Sequence, residues 1–372
     1  MSFLFPAVRA SSGWLRSSED VSRWVANLAE QASRQGTFGI GGLVLTKSGD
    51  VFAEALNAVI QNGRLVDSTA HVERQLVDWL FKDGRYRLPA PLEEIVIVSS
   101  LDPCAMCAGA ILRAGVNVVS IAADPLSGVH GASSEQLNMP SALRGRAGRQ
   151  LAVFGVEGGR PRIGADFGEL FSDPISMQVY HRAQDAFSAS IDHVRRIIGG
   201  SGDRPTGTVP YEKILKEHMH HLPEFVRTTE DAFRRDIYNH WPQSLSCVLE
   251  DHRGQVILGV PEEPVAAPTE SGVVRLIRAY CALRNSVPET LRTALPHPRS
   301  CSIVVKTFPE DDDKALFELG AIGSFIEEQR PQQERAALRY LDPTDDRRAQ
   351  EILWSLPPLY TQVIGLTVAP VA

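Results

Sequence analysis

The sequence predicts an α/β sandwich, with helices packed on a mixed sheet and the whole unit occurring twice. Three observations predict it. Helical and strand periodicities alternate along residues 20–198. A stretch rich in glycine, threonine and proline at 199–208 then breaks the pattern as a linker would. Beyond it the same order of elements starts again, and 372 residues leave room for both copies.

In the first copy Val21, Trp24, Val25, Leu28, Ala29 and Ala32 recur at helical spacing, which predicts a helix over 20–34. Residues 39–45 and 50–57 flank Ser48 and Gly49 as the arms of a β-hairpin. Asp67, Ser68 and Thr69 are capping candidates for a helix running through Glu73 to Phe81. Residues 95–98 read as a buried strand. Pro103 opens a helix over 104–114, because the first turn needs no N–H donor. Strands at 116–122 and 151–156 and a helix near 175–198 complete the unit.

The second copy is expected to hold a helical stretch from Tyr211 and strands at 246–250 and 255–260 around Gly254. A helix at 271–284, a strand at 301–307, a helix at 311–319 and a strand at 321–326 follow. Residues 302–305 echo 95–98, and a helix ending at Gly320 echoes one ending at Gly115. The expected boundaries are therefore a first domain at 1–198, a linker at 199–209 and a second domain at 210–372.

Bulk composition narrows the function classes. Hydrophobic residues make up 43% and charged residues 22%, enough apolar side chains for globular cores. No apolar run approaches the ~20 residues that span a bilayer, and the N-terminus lacks a signal-peptide pattern, so a cytoplasmic protein is expected. Five cysteines are too few for a disulfide framework, and Cys104 and Cys107 have the spacing of metal or redox work. A net charge of −7 offers few phosphate contacts, which disfavours nucleic acid as a partner. Arg144, Arg146 and Arg149 form the best basic cluster and read as a solvated loop.

The chemistry is carried by His71, Val72 and Glu73 and, further on, by Pro103, Cys104 and Cys107. Each group alone is weak, since His-x-Glu is commonly a surface pair and Cys-x-x-Cys serves structural and redox sites. Together they match the H-x-E and P-C-x-x-C signature of zinc-dependent deaminases. At helix N-termini, free N–H groups and the helix dipole favour thiolates at Cys104 and Cys107. Positions i and i+3 share a helix face, so both sulfurs can reach one ion. With His71 they make three protein ligands for one Zn2+ per chain, leaving the fourth position to water as in a catalytic site. Glu73, beside a ligand without being one, is placed to shuttle protons.

Residues 67–73 and 101–111 resemble the cytidine/deoxycytidylate deaminase superfamily, and within it the branch of tRNA adenosine deaminases and guanine deaminases. The likeness runs from about Val21 to Glu135. It implies a cytidine-deaminase-like three-layer α/β/α sandwich, here as a tandem repeat. It also implies that Asn57 hydrogen-bonds the purine and that Asp124 or Glu135 reads base or ribose. The usual alanine between histidine and glutamate is Val72 here, which bears on substrate fit. The second copy is expected to be a pseudo-deaminase, with Gly272 to Arg275 and Pro309 to Lys314 where ligands would stand. Fused to the first, it would replace the second subunit of a dimer. His218, His220 and His221 read as solvated.

The expected activity is hydrolytic deamination of a small-molecule nucleobase, nucleoside or nucleotide, a purine favoured. The alternatives are an RNA-editing deaminase and a non-catalytic zinc-binding interaction protein; retention of Glu73 argues against the latter.

Overall fold

The computed structural model describes residues 8–84, 91–130, 137–199, 217–218, 238, 241–262, 267–288, 292, 295–326 and 337–371. Strand β1 (Val8–Trp14) leads into helix α1 (Ser18–Arg34), capped by the Ser17 hydroxyl on the Asp20 amide. Strands β2 (Gly41–Thr46) and β3 (Asp50–Leu56) form the expected hairpin, with Gly49 at φ +100° in its turn. A small hairpin, β4 (Ile60–Gln61) and β5 (Arg64–Leu65), precedes α2 (Val72–Trp79), which ends in a π-turn at Leu80–Gly84. Strand β6 (Ile95–Leu101), α3 (Ala105–Ala114), β7 (Asn117–Ala122), α4 (Ser141–Gln150), β8 (Leu151–Val153), β9 (Ile163–Gly164) and α5 (Met177–Gly199) follow. Gly115 closes α3 at φ +69°, the left-handed cap that glycine adopts without strain.

The first sheet has the order β1-β3-β2-β6-β7-β8-β9 and is mixed: β2 is antiparallel to β3 and β6, while β6, β7 and β8 run parallel. Helices α1 and α5 pack together on one face, and α2 and α3 on the other. Strands β2, β6 and β7 are buried along their whole length, as central strands covered on both faces must be.

The second half holds β10 (Leu245–Asp251), β11 (Val256–Pro261), α6 (Gly272–Ser286), β12 (Cys301–Val305), α7 (Asp312–Ile326), β13 (Leu338–Tyr340), α8 (Asp346–Ser355) and β14 (Val368–Pro370). Its sheet order is β11-β10-β12-β13-β14. Strand β10 is antiparallel to β11 and β12, and β12, β13 and β14 run parallel. This repeats β3-β2-β6-β7-β8 strand for strand and direction for direction. The two sheets have the tandem arrangement expected of the sequence.

Three sequence readings need correction. Residues 321–326 continue α7 rather than forming a strand, and the strand at this place in the order is β13. Gly320 does not end that helix, because it lies inside it where α7 touches α3: a Cβ there would come within 2.1 Å of the Met106 nitrogen. Reciprocally, a Cβ on Gly109 would lie 2.5 Å from the Phe317 nitrogen. The arginine cluster at 144–149 is not a loop but lies in α4, and Arg146 pairs with Asp313 of α7 at 2.5 Å. The linker falls almost wholly outside the described residues, as do the helical stretch from Tyr211, His220 and His221.

One apolar core runs through both halves by way of α3 and α7. Buried charges join them as well. Arg74, fully buried, bonds Asp78 at 2.7 Å and Asp67 at 3.3 Å. Arg278 of α6 reaches the same Asp67 at 3.4 Å, and Thr269 donates to Asp78. Among the described residues no helix is long and apolar enough to cross a membrane.

Candidate active site

His71 is the N-cap of α2 and Cys104 the N-cap of α3, both in extended backbone. Cys107 lies one turn into α3. Strands β3 and β6 both run antiparallel to β2 between them, so they point the same way and bring these helix starts, with the free N–H groups of their first turns, to the same end of the sheet. One ligand atom from each of His71, Cys104 and Cys107 lies within 4.8 Å of the others, and among the described residues this is the one such cluster. His71 Nδ1 stands 3.5 Å from Cys104 Sγ. Tetrahedral zinc, with bonds of about 2.05 Å to nitrogen and 2.3 Å to sulfur, sets those two ligands roughly 3.5 Å apart. The donor set therefore fits zinc in kind and in spacing.

The thiols are strongly perturbed. A hydrogen bond from Cys107, with His71 beside it, holds Cys104 well below the usual thiol range, whereas burial pushes Cys107 well above it.

Glu73, in the first turn of α2, is 3% exposed. The Ser99 hydroxyl on β6 donates to its Oε1 at 2.6 Å. Burial raises its pKa above the ordinary carboxyl value, Ser99 opposes that rise, and Cys104 adds to it. A carboxyl so placed holds a proton more readily than a solvated one.

His71, Glu73 and Cys104 open into a pocket walled by Phe38, Ile40, Leu101, Phe187 and Ile191. Phe38 stands edge-on to His71, with ring centroids 6.5 Å apart, and tilts against Phe187 at 6.2 Å. Leu126, Ser127, Arg195 and Leu359 complete the lining. Leu359 comes from the second half, and its amide bonds the Leu126 carbonyl at 2.8 Å.

Of the residues expected to contact substrate, Asp124 lines this pocket. Its Oδ1 accepts the Leu126 and Ser127 amides at 3.0 Å, and burial raises its pKa. Asn57, just beyond β3, is 2% exposed and is not among the pocket-lining residues. Its Oδ1 accepts from Thr37 at 2.6 Å and from the Val59 amide, while its Nδ2 is buried with no partner. Val72 faces the core instead of the pocket, because the α2 face that packs on β2 meets Gly42 there. Glu135 lies outside the described residues.

Sequence reasoning missed several groups. Asp102, buried beside Pro103, accepts the His130 amide at 2.8 Å and meets His130 Nδ1 at 2.6 Å, tying the 124–130 loop to the start of α3. Gly128 can approach because a Cβ would lie 2.2 Å from Asp102 Oδ2. Phe187, Ile191 and Arg195 recur every four residues, a signal of one helix face that does not say which pocket the face meets.

The described family of cytidine and deoxycytidylate deaminase zinc-binding regions matches residues 15–123. A tRNA(Ile)-lysidine synthase of Deinococcus radiodurans is 31% identical over 112 residues, 30% of this chain but only 18% of that protein. A solved guanine deaminase of Nitrosomonas europaea is 19% identical with a TM-score of 0.26, the likeness covering 50% of this chain and 88% of that one. A chain from a structural study of A-to-I editing by tRNA:A34 deaminases is 22% identical with a TM-score of 0.25, covering 31% of this chain and 82% of its own. The matched segment carries the His-x-Glu and Pro-Cys-x-x-Cys residues, and its His71, Cys104 and Cys107 are the group that could hold a metal ion.

Proposed function

We propose that the chain is a hydrolytic deaminase that replaces the exocyclic amine of a nucleobase, free or in a nucleoside or nucleotide, and releases ammonia. The observation that carries this reading is Glu73, a buried carboxyl held by Ser99 in the same pocket as His71 and Cys104. A structural zinc has no use for it.

His71, Cys104 and Cys107 would hold the ion, and zinc there supplies the Lewis acidity that makes water a nucleophile near neutral pH. Glu73 takes the attacking water's first proton and delivers it to the ring nitrogen, then takes the second proton from the added hydroxyl and passes it to the departing amine. Ser99 fixes Oε1, so proton exchange falls to Oε2. Phe38, Phe187, Ile40 and Leu101 provide flat apolar walls for a planar ring and exclude bulk water. A purine is favoured by the resemblance of the motif segments to the purine-deaminating branch. The same resemblance assigns the purine contact to Asn57, whose Nδ2 is a buried donor with no partner.

The second half, in this reading, is a metal-free copy. Where His71 and Cys104 would recur, just ahead of the two helices, stand Ser271 and Asp311; Gly272 and Asp311 line a recess with Ser246, Cys247, Lys314 and Glu318. Its role is to buttress α3 and to close the pocket with Leu359.

The test is ammonia release from purine and pyrimidine bases, nucleosides and nucleotides by zinc-loaded protein. Glu73→Ala should keep its zinc and its fold while turnover falls about a hundredfold or more. Full activity in that variant overturns the mechanism. Inosine formation in tRNA, with no small molecule turned over, would establish an editing enzyme instead.

A further inference from the structure

His71 stands just ahead of α2, in extended backbone. An N-cap residue lies outside the helical ladder, so α2 alone does not fix where its imidazole points. The turn at 67–71 has to do so. The His71 amide donates to the Thr69 carbonyl at 2.9 Å, and the Arg74 guanidinium donates to the same oxygen. Thr69 is held in turn by Asp67, whose Oδ1 accepts its amide at 2.8 Å and its hydroxyl at 2.6 Å. The other oxygen of Asp67 faces two guanidiniums, Arg74 at 3.3 Å and Arg278 at 3.4 Å.

Arg74 belongs to α2 itself, whereas Arg278 comes from α6 of the second half. The chain of contacts is shielded from solvent, with Arg74 and Thr69 fully buried and Arg278 8% exposed. Buried ion pairs are screened far less than exposed ones, so the position of Asp67 answers to Arg278. Cys104 and Cys107 already rest on the second half through the contact of α3 with α7. Arg278 extends that dependence to the third ligand.

We propose that Arg278 is a positioning residue of the metal site: through Asp67 and the Thr69 turn it fixes His71, so the second half takes part in building the centre carried by the first. This rests on His71, Cys104 and Cys107 being the zinc ligands and requires no particular substrate. Groups behind a metal ligand orient it, and their loss weakens metal binding by about tenfold to a hundredfold.

The experiment measures the zinc affinity of the full chain by chelator competition, and the visible absorption of cobalt(II) bound in place of zinc, which reports ligand geometry. Arg278→Gln should weaken zinc about tenfold and shift the cobalt bands. Arg278→Lys, which keeps a cation opposite Asp67, should fall between that variant and wild type. Thr69→Val removes the hydroxyl bond to Asp67 and no charge, and it should weaken zinc as well. Combined with Arg278→Gln it should bind no more weakly than the weaker single variant, because both changes cut the same path. His297→Ala loosens the boundary between the halves at Ile198, away from Asp67. It should lower the melting temperature and leave zinc affinity and cobalt bands unchanged. Unchanged affinity in Arg278→Gln, additive losses in the double variant, or an equal loss in His297→Ala overturns the proposal. If Arg278→Gln does not fold, Arg278→Lys decides alone, and wild-type affinity and bands there overturn it. A wild-type chain that binds neither ion refutes the zinc assignment itself and this proposal with it.

Discussion

At the scale of single residues, the pair Glu73 and Ser99 separates chemistry from metal binding. A hydrogen bond to a charged group contributes about 1.5–3 kcal/mol, and here it also aims the carboxyl. Ser99→Ala should therefore retain zinc while turnover drops roughly tenfold to a hundredfold. Ser99 lowers the Glu73 pKa against the upward push of burial. Removing the hydroxyl should raise that pKa further, and the acid limb of the pH–rate profile should move to higher pH. Loss of zinc in Ser99→Ala would show that the hydroxyl supports the metal site instead. Cys104→Ser should behave in the opposite way, losing metal and, because the site ties α2 to α3, some thermal stability as well.

Among the elements, the contact of α3 with α7 matters most for the site, since Met106 stands between the two cysteines. Gly320 packs against the Met106 backbone, where a Cβ would lie 2.1 Å from the nitrogen and 2.5 Å from the α-carbon. These neighbours are main-chain atoms, so the helices must separate for a methyl group to fit. Gly320→Ala should cost about 1–3 kcal/mol by overpacking and should weaken zinc binding by displacing the first turn of α3. Chelator competition measures the affinity, and unchanged zinc affinity with a lowered melting temperature would confine the effect to packing. Leu359→Ala should raise KM more than it lowers kcat, because an apolar lining side chain contributes to substrate binding and carries no proton.

Across the whole molecule, the two halves are joined by a shared core and by polar contacts that pH can probe. His297 of the second half meets the Ile198 carbonyl of α5 at 3.3 Å and accepts the Arg299 amide at 3.4 Å. Burial, with Arg284 and Arg299 nearby, lowers its pKa from 6.5 to about 4. The folded protein thus holds it neutral, and this contribution is whole above pH 6.5 and lost as pH falls towards 4. The shift corresponds to roughly 3 kcal/mol at most. His297→Gln should flatten the decline in melting temperature between pH 6.5 and 4, and an unchanged slope would assign acid lability to other groups. The buried Arg74 lattice lies on the same boundary. Its worth is in joining α2 to α6, since removing one charge strands the others.

The donor set and the repeat were readable from sequence because both rest on local regularities. Spacing i, i+3 at a helix start places Cys104 and Cys107 together wherever that helix lies, and period-2 or period-3.6 patterns mark strands and helices before they pack. Gly115 could be read as a helix end for the same reason, since a left-handed cap is a property of its own turn. Gly320 could not. Its glycine serves contact with Met106 more than two hundred positions away, and nothing in residues 311–326 distinguishes that need from a helix end. Val72 is a similar case: sequence puts it beside the metal, but only the packing of α2 on β2 turns it to Gly42. Asp102 with His130, Ser99 with Glu73, and the α5 stripe with the pocket are pairings across distant elements. Tertiary structure alone decides them, because a side chain's chemistry is written in the sequence while its neighbours are set by how helices and sheets stack.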